Sequence, residues 1–282
     1  MPWESIKLNS GYYIPSIGFG TWTLGNGQGP IDQVEQALEN GYNHIDTAQS
    51  YRNEGETGDA LKESGLSRSD VFVTTKYSGT NGLDIPTSIR NSVNSLGLSY
   101  VDLYLVHSPR LAVPDIPTCW AQMEKVKEEG LAKSIGISNF GVQDMEILLG
   151  SAKIKPVVNQ ILLHPYVYRQ QKPILEYAAK NEIVIEAYSA LIPITKLPGG
   201  PLEKPLNEIA AKFGVTTDQV LLAWTKAKGG PLSAEDIAAI DAAGALGEKK
   251  ANMKTILKRV VVGAIACTAV FGACNFLGIN MM

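Results

Sequence analysis

Seven short runs rich in β-branched residues alternate with longer stretches whose apolar residues recur at helical spacing, and nothing else in the chain restricts its fold as strongly. The strand candidates are Ser16–Gly20, Asn43–Asp46, Val71–Lys76, Val101–His107, Ser134–Ile137, Val157–Gln160 and Val184–Ala187. Helices are expected over Ile31–Asn40, Gly55–Ser64, Ile85–Leu96, Ile116–Glu129, Val142–Leu149, Lys172–Lys180, Lys204–Phe213 and Thr217–Lys228. Ile6–Leu8 and Tyr12–Ile14, on either side of Asn9-Ser10-Gly11, predict a small hairpin. Strands each followed by a helix form a parallel sheet with right-handed crossovers. A doubly wound sheet would announce a dinucleotide by G-x-G-x-x-G between strand and helix. Here Gly18-Phe19-Gly20 runs into Thr21-Trp22-Thr23 with no prompt helix, so that reading fails. A (β/α)8 barrel fits better, with its chemistry at the C-terminal ends of the strands.

Such a barrel needs an eighth strand, and the sequence passes over it. In "WTKAKGGPLSAEDIAAID", Trp224 to Asp241, Gly229-Gly230 reads as a helix stop, and Pro231 with Ser233 and Asp236 as a helix start. The barrel is therefore expected to be incomplete. Its first and seventh strands would lose a shared partner, leaving edge backbone groups unpaired.

Charge and hydropathy divide the chain into a barrel domain (1–248), a basic linker (249–259) and an apolar tail (260–282). Residues 249–282 carry Lys249, Lys250, Lys254, Lys258 and Arg259 and no acidic residue. The remainder holds 20 basic against 28 acidic residues, a net charge of −8, which argues against nucleic-acid binding. Val260–Ile279 is 20 uncharged residues, enough as a helix to cross a hydrocarbon core of ~30 Å. The basic cluster before it would remain on the cytoplasmic side. The expectation is a cytosolic domain anchored by its C-terminus to the endoplasmic reticulum or another endomembrane. The alternative is a cytoplasmic protein whose tail forms a core helix or a strand. Cys119, Cys267 and Cys274 have neither metal-ligand spacing nor a disulfide framework, so no metal is expected and a reducing compartment is.

Three ionisable residues end successive strand candidates: Asp46, Lys76 and His107. Tyr51 follows Asp46 by five residues on the adjoining loop. Each alone has an ordinary explanation: a cap, a solvated lysine, a satisfied histidine. Strand C-termini converge on one mouth of a barrel, however, and stability alone does not call for charge there. A phenol is a poor acid, with a reference pKa near ~10, and an adjacent ammonium should lower it. An aspartate would hold the lysine charged, and a histidine beside the phenol would orient a carbonyl oxygen. An acid aimed at a carbonyl, without metal or nucleophile, suits reduction by an external hydride.

The segments "GFGTW", "HIDTAQSYRNE", "TTKYS", "YVDLYLVHSP", "KSIGISNF", "VVNQILLHPY" and "IEAYSAL" resemble the aldo-keto reductases in order and position, over about residues 5–245. They look most like the fungal reductases of α-keto amides and conjugated polyketones. The resemblance implies a (β/α)8 TIM barrel that reduces aldehydes or ketones with NADPH, with Asp46, Tyr51, Lys76 and His107 as catalytic residues and Tyr51 the proton donor. It further implies that Asp46, Ser138, Asn139 and Gln160 meet the nicotinamide end of the cofactor. Tyr188 would stack on its ring, and Ser189, Ala190 and Leu191 would meet the pyrophosphate. Trp22, Tyr77, His107 and Ser108 are the expected substrate lining, and a monomeric barrel the expected assembly. Family members continue into an eighth strand and a loop that grips the ribose phosphate of NADPH. Something on the order of 20–30 residues is missing here by that comparison. The alternative function is a catalytically impaired splice or gene-model variant, or a membrane-tethered nucleotide-binding regulatory module.

Overall fold

A computed structural model of the chain describes residues 4–226 together with 240 and 244. The Gly229–Pro231 junction, the 249–259 linker and the 260–282 tail lie outside the described residues. Among the described residues no helix is long and apolar enough to cross a membrane. The described residues divide into two compact units, one of residues 4–162 with 172–188, the other of 163–171 with the described residues from 189 onward.

The first unit opens with the expected hairpin, β1 (Ser5–Lys7) and β2 (Tyr13–Pro15), which pair antiparallel. Seven parallel strands follow in sequential order: β3 (Phe19–Gly20), β4 (His44–Asp46), β5 (Phe72–Tyr77), β6 (Val101–Val106), β7 (Ala132–Ser138), β8 (Val158–Leu162) and β9 (Val184–Tyr188). All seven expected strands form. The first is shorter than Ser16–Gly20, since only Phe19 and Gly20 pair with β4. Among the described residues no eighth strand joins β3 or β9, which stand at the two ends of the sheet.

The connecting helices are α1 (Gln28–Glu39), α2 (Glu54–Glu63), α3 (Ile85–Ser95), α4 (Ile116–Glu128), α5 (Val142–Leu149) and α6 (Tyr168–Lys180). Two show why they begin where they do. Asp84 and Asp115 accept hydrogen bonds from the backbone N–H groups of Thr87 and Thr118, and each is followed by proline in the first turn.

Alternation along β6 gives the sheet two different faces. Tyr104 and Val106 join Val34, Ile45, Val73, Ile89, Trp120, Met123 and Ile135 in the core beneath the helices. Leu103 and Leu105 turn the other way and pack with Leu8, Ile14, Val157 and Val158, so the hairpin seals one end of the inner face. Both faces are buried, and for that reason strands such as VDLYLV read as nearly continuous apolar runs. Two glycines permit close approach. A Cβ on Gly58 would lie 2.6 Å from the carbonyl oxygen of Leu96, and one on Gly136 would lie 2.7 Å from Leu105 Cδ2.

The second unit contains α7 (Ile192–Thr195), α8 (Glu203–Phe213) and α9 (Thr217–Thr225). Leu206, Ile209, Val220, Leu221 and Trp224 are buried, and Trp224 meets Tyr168 edge-on at 5.3 Å. Trp224 is thus a packing residue, as is Trp120, whose Nε1–H donates to the Ile154 carbonyl at 2.9 Å.

Candidate active site

Polar side chains collect at the C-terminal ends of β4 to β9. Asp46 is the last residue of β4, Lys76 lies one residue before the end of β5, and His107 directly follows β6. Tyr51 closes a 3₁₀ turn (Gln49–Tyr51) after β4. Lys76 is fully buried, yet its ammonium is saturated. It donates to Asp46 Oδ1, to the Thr47 carbonyl at 3.0 Å and to the Tyr51 hydroxyl at 3.3 Å. Asp46 Oδ2 accepts from Gln160 Nε2 at 2.8 Å. The Tyr51 and His107 rings meet edge-on with centroids 5.6 Å apart. The four residues predicted to converge do so.

One expectation about them is corrected. The phenol of Tyr51 is held above its ordinary range, not below it. Burial raises it and the Asp46 charge adds to the rise, and together they outweigh the lowering by Lys76. Tyr51 is therefore fully protonated at neutral pH. Burial pulls Lys76 down, but the charge and hydrogen bond of Asp46 and the nearby Tyr51 leave it raised and charged. His107 is lowered to about 4, first by burial and then by Lys76, so its ring is neutral. Its Nδ1 lies 3.0 Å from Ser78 Oγ.

A second group adjoins the first. Ser138 Oγ donates to the Gln160 carbonyl at 2.8 Å. Asn139, in the left-handed region at φ 61°, donates from Nδ2 to the His107 carbonyl and to Ser138 Oγ, both at 3.0 Å. The Tyr188 hydroxyl donates to Asn139 Oδ1 at 2.9 Å. Asn139 is exposed and keeps one Oδ1 lone pair, and Tyr188 is half-buried. An amide acceptor and a flat phenol ring thus stand together at one rim. Ser189, Ala190 and Leu191 belong to the second unit. Ser189 is left-handed at φ 57°, and its carbonyl accepts from the Ile192 N–H at 3.2 Å.

The expected substrate lining is only partly assembled. Trp22 is 60% exposed on the loop after β3. Ser108 accepts from the Arg110 N–H at 3.4 Å and starts a 3₁₀ turn. Tyr77, next to the inward Lys76, turns to the helix-covered face instead, where its hydroxyl donates to the Leu83 carbonyl at 3.1 Å. The structure does not bring it into the cluster.

Of two residues passed over in the sequence, one belongs to this centre and the other adjoins it. Glu186, paired in register with Gln160 across β8 and β9, points a solvent-shielded Oε2 with no hydrogen-bond partner toward Asp46. Burial, then the Asp46 charge, raises it to about 7. Glu186, Asp46 and His44 bring ligand-type atoms within 4.8 Å of one another. A metal ion there would face the Lys76 ammonium, and His44 Nε2 is already within 2.8 Å of Thr74 Oγ1. The second is Asn53, 1% exposed, whose side chain bridges two loops.

Residues 16–193 match the Aldo/keto reductase family. The chain is 39% identical over 225 residues to an NAD/NADP-dependent indole-3-acetaldehyde reductase of Schizosaccharomyces pombe, covering 77% of this chain and 78% of that protein. It is 35% identical to an aldehyde reductase of Saccharomyces cerevisiae, with 80% of each chain covered. Among solved structures, an aldo/keto reductase from Brucella melitensis superposes with a TM-score of 0.75 at 34% identity, over 85% of this chain and 99% of the other. A Bombyx mori aldo-keto reductase in complex with NADP superposes with a TM-score of 0.77 at 28% identity, over 86% and 93%.

Proposed function

Because the chain belongs to the aldo/keto reductase family and has its (β/α) barrel-type fold, it is an NADP-dependent oxidoreductase acting on carbonyl compounds, and we propose that Tyr51 is its proton donor. The observation that carries this reading is the buried ammonium of Lys76, within hydrogen-bond reach of both Asp46 and the Tyr51 hydroxyl. NADPH, when bound, supplies the hydride. Tyr51 gives its phenolic proton to the carbonyl oxygen, and Lys76 stabilises the phenolate left behind. Asp46, itself held by Gln160, keeps Lys76 charged and in place. The neutral His107, whose Nδ1 lies 3.0 Å from Ser78 Oγ, would in its Nε2–H tautomer donate to the same oxygen.

Ser138, Asn139 and Gln160 would hold the nicotinamide carboxamide, and Tyr188 would face its ring. The "IEAYSAL" motif supports Ser189, Ala190 and Leu191 for the pyrophosphate. Trp22 and Ser108 would line the substrate site. The names of the relatives, an indole-3-acetaldehyde reductase and an aldehyde reductase among them, support an aldehyde or activated ketone as substrate.

The full chain is expected to quench NADPH fluorescence at micromolar cofactor and to convert an activated ketone to its alcohol. Failure of both with a folded protein would overturn the reading. Membrane anchoring through 260–282 is supported by the uncharged run alone. A reporter fused to 249–282 should then resist extraction by carbonate, and its release would refute the anchor.

A further inference from the structure

We propose that Asn53 is a positioning residue that locks the loop carrying Trp22 to the segment carrying Tyr51. The inference deepens the reductase reading and rests on it for the link to substrate. Asn53 is the N-cap residue of α2, a place where asparagine ordinarily spends its side-chain oxygen on the first backbone N–H groups of the helix. Here its side chain makes no such bond. It is turned toward the loop after β3 instead, and all four of its hydrogen-bonding positions are filled. Oδ1 accepts from Thr21 Oγ1 at 3.0 Å and from Thr47 Oγ1 at 3.3 Å. Nδ2 donates to the carbonyls of Thr21 at 2.9 Å and Gly25 at 3.2 Å.

The environment makes these bonds costly to lose. Asn53, Thr21 and Thr47 are each at most 1% exposed, so water cannot replace a missing partner. Two further contacts hold the same pair of segments. Asn26 donates to the Arg52 carbonyl, and the Gly27 N–H donates to Glu56 Oε1 at 2.9 Å. Thr47 also links the clamp to the proposed proton relay, since its carbonyl accepts from Lys76. A continuous hydrogen-bonded path thus runs from Lys76 through Thr47 and Asn53 to Thr21. Trp22 is the next residue, with 60% of its surface exposed. The loop that carries this indole is tied at Thr21 and Gly25, on either side of it, by the Asn53 amide. Asn53 sets where Trp22 stands relative to Tyr51, and so which carbonyl substrates are bound well.

The test uses the full chain, with Asn53→Ala and the milder Thr47→Val, which removes a hydroxyl placed 3.0 Å from Thr21 Oγ1 and 3.3 Å from Asn53 Oδ1. The emission of Trp22 is isolated by subtracting that of the Trp22→Phe counterpart of each protein. Both variants should lower the fluorescence anisotropy of Trp22, Asn53→Ala the more. Asn53→Ala should raise KM for an activated ketone by roughly ten- to a hundredfold, with kcat changed less than about threefold and NADPH quenching intact. Should Asn53→Ala not fold, Thr47→Val alone decides. Unchanged Trp22 anisotropy in the folded variants, or equal losses in kcat and in NADPH binding, would overturn the proposal. If the unaltered chain reduces no carbonyl, the functional reading fails, while the anisotropy still decides the clamp.

Discussion

Removing one partner of the Lys76–Asp46 pair should cost far more stability than removing both. Lys76 is 0% exposed and Asp46 9%, so either charge left alone would sit where water cannot solvate it. Lys76→Met would leave the Asp46 carboxylate with Gln160 and beside the Glu186 carboxyl. Asp46→Asn would leave a buried ammonium held by the Thr47 carbonyl and the Tyr51 hydroxyl. Breaking a buried pair on one side typically costs ~3–5 kcal/mol, whereas replacing both members with neutral groups of similar volume is often near neutral. Each single variant should therefore unfold roughly 6–20 °C lower, at ~2–4 °C per kcal/mol, and the double variant should recover most of that loss. Urea unfolding followed by circular dichroism would give the three free energies, and their cycle the coupling. Reduction of an activated ketone should fall by about 10²–10⁴ in Lys76→Met and in the double variant, because the double variant regains stability without the ammonium that stabilises the phenolate. A double variant as unstable as the sum of the singles would show that the pair is not coupled, and the electrostatic argument would fail.

Three further outcomes follow from the geometry. Glu186 is held at about 7 against an ordinary 4.5, so between those values the folded protein keeps a proton that the unfolded chain releases. Its stabilising contribution is complete below about 4.5 and lost as pH rises toward about 7. The urea stability of Glu186→Gln relative to the unaltered protein should accordingly improve by roughly 2–3 kcal/mol across that window, and parallel pH profiles would contradict this. His107 is neutral down to about 4, so the NMR signals of its ring should not titrate near the ordinary histidine value of 6.5. A ring titration there would place His107 in water. Gly58→Ala should destabilise α2 by ~1–3 kcal/mol despite the better helix propensity of alanine, because the new Cβ would meet the Leu96 carbonyl at 2.6 Å. Thermal unfolding measures it, and a stabilised variant would show that the helix can shift.

The strand order and the rim were legible because burial on both faces leaves an apolar run that a polar strand end interrupts. Asp46, Lys76 and His107 each stand at such an interruption. The direction of the Tyr51 shift was not legible, since it depends on how burial and Asp46 compare with Lys76, and only packing sets that balance. Asn53 reads as an ordinary helix cap in "YRNE", and its diverted side chain appears only when the loop after β3 is in place. Glu186 acquires its meaning from the β8–β9 register that sets it beside Gln160, a relation between segments distant in sequence. Tyr77 is different, because the alternation of a strand places it opposite Lys76 and could have assigned it to the helix-covered face.

The central claim is that the Tyr51 hydroxyl delivers the proton, and Tyr51→Phe in the full chain tests it with least intervention. Single-turnover oxidation of bound NADPH by an activated ketone should slow by roughly 10²–10⁴, with NADPH binding by fluorescence quenching unchanged. Oxidation at the rate of the unaltered protein would contradict the account.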